Sequence, residues 1–295
     1  MRAERASDAT TSAEKAEKYI DTVSEWGHNI EKAARRSVFV RAGGNMDRTE
    51  KCGKKFAELF GGKPVKDEGT DPEFMRILQR FIFGEVSYTG SLDDRMRELV
   101  TVTVLVVNQT LPQLKAHVGA SLNVGCTPSE IRETVYQCAP FVGFPKTLNA
   151  IAAMNEVFSE RGITLPLPAA ETVTEEDRFE RGLAVQKPLY GDEIKERYAW
   201  LPGEFSEAVP RWLTELSFGD FATRTGLPGK ERELLTVVML AAMGGAEVQV
   251  KSHVAGALKA GNTKEEVVCA LAHAMPYMGV PRLFNALNCA KELLA

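Results

Sequence analysis

The residues in this chain best suited to moving protons come in pairs, and the pair occurs twice. Glu98 precedes His117 by 19 residues, and Glu233 precedes His253 by 20. A Glu within an apolar helix and a His one turn into the next helix can meet across a helix–turn–helix. Burial would raise the carboxyl's pKa and charge attraction would oppose that, which leaves a proton relay usable near neutral pH. Gln113 and Gln249 stand four residues before each His, on the same helical face, where either could orient the imidazole or a substrate oxygen. Arg97 and Arg232 immediately precede the two Glu residues and suit a substrate carboxylate. Each residue also has a structural reading: a satisfied core His, an Arg–Glu ion pair, a Gln serving a helix cap. Lys115 and Lys251 recur as well and read as a solvated face. One His, one Glu and one Gln per set fall short of a zinc site. No segment fits a phosphate loop or a dinucleotide fingerprint. Neither metal nor cofactor is expected. His273, with Gln137 at its twin position, reads as structural.

The elements that must position these residues are themselves duplicated. Phe83, Gly84, Leu92, Arg97, Glu98, Leu99, Thr101, Val102 and Leu105 recur at an offset of 135. From Gln113 through His117, Gly125, Thr127 and Glu130 to Pro145 and Asn149, the offset is 136. Two copies of so long a period predict duplicated domains and not a solenoid. The expected organisation is an N-terminal helical extension at 1–45, a first unit at 46–165 and a second at 166–295, joined by a Pro- and Thr-rich linker after Arg161-Gly162. Both units read as helical. "DDRMRELVTVTVLVV" alone could be a strand, but its twin "GKERELLTVVMLAAM" carries Leu, Met and Ala and favours helix for both. Capping boxes are expected at Thr127/Glu130 and Thr263/Glu266, with Thr110 capping Gln113 in the same way. The "PFVGFP" and "PYMGVP" turns precede a last helix in each unit. The fold class is all-α.

Composition narrows the function. A net charge of −4 argues against a nucleic-acid partner. No apolar run approaches the length of a membrane span, and the N-terminus lacks the apolar core of an export signal. Five scattered cysteines suit reduced thiols and a cytoplasmic location.

"RELVTVTVL" and "QLKAHVGASLNVGCTPSEIRETVYQCAPFVGFPKTLNA" resemble the carboxymuconolactone decarboxylase family, within the AhpD-like helical superfamily. The shared features are R-E-L opening a helix, H-x-x-x-A/G in the next, a Gly before T-x-x-E, and G-x-P-x-x-x-N-A. They occur once per unit. The peroxidatic branch of that superfamily carries a Cys-x-x-Cys pair before the His. Thr110 and Gln113, and Ala246 and Gln249, occupy those places here, so thiol peroxidase chemistry is not expected. The resemblance implies a cofactor-independent decarboxylase acting on a small carboxylated, lactone-like substrate. Its acid–base residues would be Glu98, His117, Glu233 and His253, and its substrate-binding residues Gln113, Gln249, Arg97 and Arg232. It also implies a homo-oligomer, with a trimer supplying six units. The first unit keeps the family's Glu–His spacing and is ranked ahead of the second. The competing class is a non-catalytic helical scaffold or small-ligand-binding protein, distinguishable by whether a cavity adjoins the Glu–His pairs.

Overall fold

The computed structural model describes residues 46–64, 69–191 and 193–295. The helical extension expected at 1–45 and His28 lie outside the described residues. Asp47–Ala295 forms one compact unit, and no strand occurs among the described residues. The first copy comprises α1 (Arg48–Phe60), α2 (Pro72–Gly84), α3 (Asp94–Asn108), α4 (Leu111–Asn123), α5 (Pro128–Tyr136), the short α6 (Ala139–Val142) and α7 (Phe144–Glu160). The second comprises α8 (Arg178–Tyr190), α9 (Ile194–Arg197), α10 (Phe205–Trp212), a π-helical segment (Leu213–Ala222), α11 (Gly229–Met243), α12 (Glu247–Lys259), α13 (Lys264–Met278), α14 (Val280–Cys289) and α15 (Lys291–Leu294). No helix among the described residues is long and apolar enough to cross a membrane.

The stretches that could pass for strands, α3 and α11, are the central helices. Their apolar residues face neighbours on every side, which is why neither shows a one-sided periodicity. From Leu99 to Val107 in α3 and from Leu234 to Ala242 in α11, every residue is buried. They pack on each other, and α13 packs on both. One apolar core therefore runs through both copies, including Leu99, Val102, Leu114, Ile131 and Phe158 of the first and Leu235, Val238, Val254, Val267 and Leu271 of the second. Charge reinforces the junction: Arg95 on α3 holds both Glu130 and Glu231 of α11.

Helix ends follow the expected chemistry with one exception. Thr127 and Thr263 form reciprocal capping boxes with Glu130 and Glu266. Gly143 and Gly279 both turn at positive φ, 87° and 91°, to open α7 and α14, a conformation glycine adopts without strain. Thr110 makes no side-chain cap bond. Its ψ of 72° departs from the 152° of Thr127, so its hydroxyl is not presented to the first turn as Thr127's is.

The duplication reaches further upstream than the main offset reveals. "DRTEKCGKKFAELFG" from Asp47 and "DRFERGLAVQKPLYG" from Asp177 align at an offset of 130, sharing Asp, Arg, Glu, Leu and the closing Gly. The helices they form, α1 and α8, each cross an equivalent glycine, Gly84 and its twin Gly219. A Cβ on Gly84 would lie 2.3 Å from the Arg48 carbonyl oxygen, and one on Gly219 would lie 2.4 Å from that of Arg178. Side chains at these crossings would force the helices apart. The alignment places Phe60 opposite Tyr190, one residue beside each His.

Candidate active sites

Both sequence-predicted Glu–His pairs form. In the first site, Glu98 on α3 and His117 on α4 are 3% and 7% exposed, and His117 Nδ1 lies 2.8 Å from Glu98 Oε2. In the second, His253 Nδ1 on α12 lies 3.2 Å from Glu233 Oε2 on α11. There a third group intervenes. The Tyr190 hydroxyl, from the last residue of α8, donates to Glu233 Oε2 and lies 2.7 Å from His253 Nδ1. Burial first, and then the Glu233 charge, push this phenol well above its ordinary range, so it stays protonated.

Each site is completed by the other copy. His117 meets Phe60 and Tyr277 edge-on, at ring-centroid distances of 5.6 and 5.4 Å. His253 meets Phe141 edge-on at 5.8 Å and Tyr190 at 5.0 Å. Tyr277 and Phe141 are twins at an offset of 136, as are His273 and Gln137. Phe141 of α6 thus roofs the Glu–His pair of the second copy, and Tyr277 near the end of α13 roofs that of the first.

The two arginines start from identical anchoring. Arg97 Nε bonds the Leu92 carbonyl and Arg232 Nε that of its twin Leu227. Arg97 Nη2 bonds the Thr89 and Gly90 carbonyls, and Arg232 Nη2 those of the twins Arg224 and Thr225. They diverge at Nη1. In Arg97 it bonds the Val86 carbonyl and lies 3.3 Å from His273 Nδ1. In Arg232 it is buried without a partner, and so is Gln137 Nε2. The change of partners at Nη1 has two sources. Gln137 replaces His273, and the π-helical coil replaces the short 3₁₀ turn at Val86–Tyr88. Arg232 also touches the fully buried Glu133, which Arg132 and Arg224 flank. Burial lowers the Arg232 pKa and the Glu133 charge partly restores it.

A cavity of about 40 Å³ lies at the second site, lined by Arg232, Glu233, His253, Gln137, Phe141 and Phe221 among others. Such a volume holds two or three waters or one carboxyl-sized group, at about 10–15 Å³ each. The residues that carry the two unpartnered buried donors therefore line, with an imidazole and a carboxyl, a space of the size of a small oxyanion. A buried donor left unsatisfied costs about 1–3 kcal/mol, which a bound oxygen would recover.

The remaining predicted residues fall elsewhere. Gln113 and Gln249 are exposed at the first turns of α4 and α12, and Gln249 does not line the cavity. Lys115 and Lys251 pair with Glu156 and Glu292 at the surface, the solvated role expected of them. His273 is buried among Arg97 and Thr101. Burial, and then the neighbouring Arg97 and His117 charges, push its pKa down to about 3, so it stays neutral in its structural role. Burial raises the Cys126 thiol to about 12 and pushes Cys138 higher still, so neither offers a thiolate near neutral pH. No His/Cys/Asp/Glu cluster fit for a metal occurs among the described residues.

Comparison with known proteins places this geometry in a lineage. The 4-carboxymuconolactone decarboxylase of Acinetobacter baylyi is 33% identical over 91 residues, 31% of this chain and 68% of that protein. Nitrosuccinic acid decarboxylase of Metarhizium robertsii is 30% identical over 109 residues, 37% of this chain and 76% of that protein. A 15.0 kDa uncharacterised protein of Paracoccus denitrificans is 34% identical over 80 residues, 26% of this chain and 60% of that protein. The pattern of one family matches twice, over residues 72–156 and 207–292, together more than half of the chain. With both copies matched and two decarboxylases among its relatives, the chain belongs to the carboxymuconolactone decarboxylase family.

Proposed function

We propose that the chain is a cofactor-independent decarboxylase of a small carboxylated substrate, and that its second site does the chemistry. The observation that carries this reading is one cavity lined by Glu233, His253 and the two residues with unpartnered buried donors, Arg232 and Gln137. Breaking the bond to the departing carboxylate releases CO₂ and leaves an electron pair on the substrate carbon. That pair must flow into an adjoining unsaturated or electron-withdrawing group. Donors that gripped the departing carboxylate would hold down the ground state as much as the transition state and would not raise the rate. Arg232 and Gln137 are better spent on the oxygen that receives the electrons, where charge grows as the reaction proceeds. His253 then delivers a proton to carbon and recovers one from solvent, with Glu233 balancing the imidazolium.

The cavity takes one oxyanion group, so a larger substrate fits only if Phe141, Phe218 or Phe221 turns aside. The relatives named for carboxymuconolactone and nitrosuccinate support lactones and short dicarboxylates as the classes to try. The first site, with Arg97 saturated and His117 boxed by Phe60 and Tyr277, suits a structural role, and the scaffold reading survives there. The exposed Phe144 and Leu148, with their twins Val280 and Phe284, support self-association into the trimer of six units. Five free thiols fit a reducing cytoplasm.

The test is CO₂ release from carboxylactones and short nitro- or keto-substituted dicarboxylates. Release that depends on Glu233, lost in Glu233→Gln, is expected. Equal release by the native chain and by a variant with both His117 and His253 changed to Ala would refute the mechanism.

A further inference from the structure

Tyr190 lies outside both family-matched stretches, yet it is the group most intimately placed in the second site. The chain makes room for it. A Cβ on Gly256 would lie 2.2 Å from the Tyr190 hydroxyl oxygen, so only glycine admits the ring over this turn of α12. The twin of Gly256 is Ala120, and the aromatic over Ala120's turn is Phe60, which has no hydroxyl to seat.

The order of protons follows from donor chemistry. A carboxylate only accepts, so the single Tyr190 proton goes to Glu233 Oε2. The phenol oxygen then accepts, and the neighbour at 2.7 Å is His253 Nδ1, which must carry its proton there. That leaves Nε2 as the ring nitrogen that exchanges a proton with substrate. We infer that Tyr190 is a positioning residue that bridges the Glu–His pair of the second site, so that His253 Nδ1–H is shared between the phenol oxygen at 2.7 Å and Glu233 Oε2 at 3.2 Å and Nε2 is left for the substrate. In the first site no hydroxyl stands at the twin position, and His117 Nδ1 meets Glu98 without such a bridge. The hydrogen-bond arrangement stands on geometry alone. Its catalytic consequence rests on the decarboxylase reading above.

Two reciprocal changes test it, Tyr190→Phe and the double change Phe60→Tyr with Ala120→Gly, which clears the Cβ that would meet the new hydroxyl. Both are made in the full chain, with a thermal melt confirming that each variant is folded. The first readout is the downfield imidazole Nδ1–H resonance in ¹⁵N-edited NMR, with His117 and His253 assigned from their Gln variants. In Tyr190→Phe the His253 Nδ1–H is left to Glu233 alone, and its resonance moves toward that of His117, which stays in place. In the Phe60→Tyr, Ala120→Gly double variant the His117 resonance moves the opposite way. The second readout is turnover: Tyr190→Phe lowers kcat about tenfold with KM unchanged, on the scale of a weakened general acid. A His253 resonance identical in the native chain and Tyr190→Phe overturns the proposal. Absence of CO₂ release by the native chain, with the resonance shift present, instead removes the decarboxylase reading and leaves the arrangement standing.

Discussion

The two Glu–His sites share an origin, a helix pair and three backbone anchors for the arginine, yet they have been finished differently. In the first, every donor of Arg97 described above has a partner, His273 closes the back, and Phe60 and Tyr277 box the imidazole. In the second, the same positions hold Gln137, Tyr190 and Phe141, and a π-helical coil stands where the first has a 3₁₀ turn. Two donors and a cavity are left over. A copied site is thus closed or opened by its periphery while its central pair is untouched. Identity at the Glu and His positions says little about which copy works; the partners of Arg Nη1 say more.

The sharpest way to break this comparison is to remove one imidazole at a time. His253→Ala is expected to lower kcat/KM for CO₂ release by about 10²–10⁴-fold, the usual worth of a positioned acid or base. His117→Ala should lower it less than about threefold, provided a melting curve shows the variant folded. A larger loss in His117→Ala than in His253→Ala would reverse the assignment.

Next in size is Glu133, fully buried against Arg132, Arg224 and Arg232. Glu133→Gln strips the compensating charge from the arginines that hold the second site. The expected loss is about 3–5 kcal/mol by chemical denaturation, as for a broken buried ion pair. The twin position in the first site is Cys269, which contacts Arg97 Nη2 and the Thr89 carbonyl. Cys269→Ala should cost about 1 kcal/mol, within the ordinary range for single substitutions. Equal losses at the two positions would mean that the charged network is not particular to the second site.

His273 gives the comparison a pH signature. Its pKa falls from 6.5 to about 3 on folding, so between those values the unfolded chain binds more protons than the folded one. Its contribution is complete above the unfolded value and is lost as pH falls toward the folded one. The slope is at most about 1.4 kcal/mol per pH unit. His273→Gln, which installs the second site's residue in the first, should flatten the acid limb of the stability curve between about pH 6 and pH 3. An unchanged limb would show that His273 is not the group that titrates.

Much of this was legible in the sequence, for physical reasons that also mark where legibility stops. The Glu–His pairs could be read because a fixed spacing across a helix–turn–helix leaves two side chains little choice of partner. The all-α fold could be read because α11 carries Leu, Met and Ala where α3 carries Val and Thr. Tyr190 was hidden because its helix repeats at an offset of 130, five residues out of step with the Glu, and its twin is Phe60. The unpartnered Nη1 of Arg232 was hidden because it depends on the coil geometry of Leu213–Ala222, where "LTELSFGDFA" carries no local signal for a π-helix. Ranking the first unit ahead used the spacing of the pair, whereas the difference between the sites lies in what surrounds it.

The smallest effect concerns how the His-bearing helices begin. Thr110 opens α4 and its twin Ala246 opens α12, and neither makes a side-chain cap bond. If the two sites differ only at their periphery, giving the first the second's residue here should change little. Thr110→Ala is expected to alter stability by less than about 0.5 kcal/mol, as a surface change away from special features does. Thr127→Ala, which deletes a working capping box, should cost about 1 kcal/mol. Urea denaturation of both variants separates the cases. A loss in Thr110→Ala as large as in Thr127→Ala would mean that Thr110 caps the His117 helix in solution, giving the first site a support that its twin lacks.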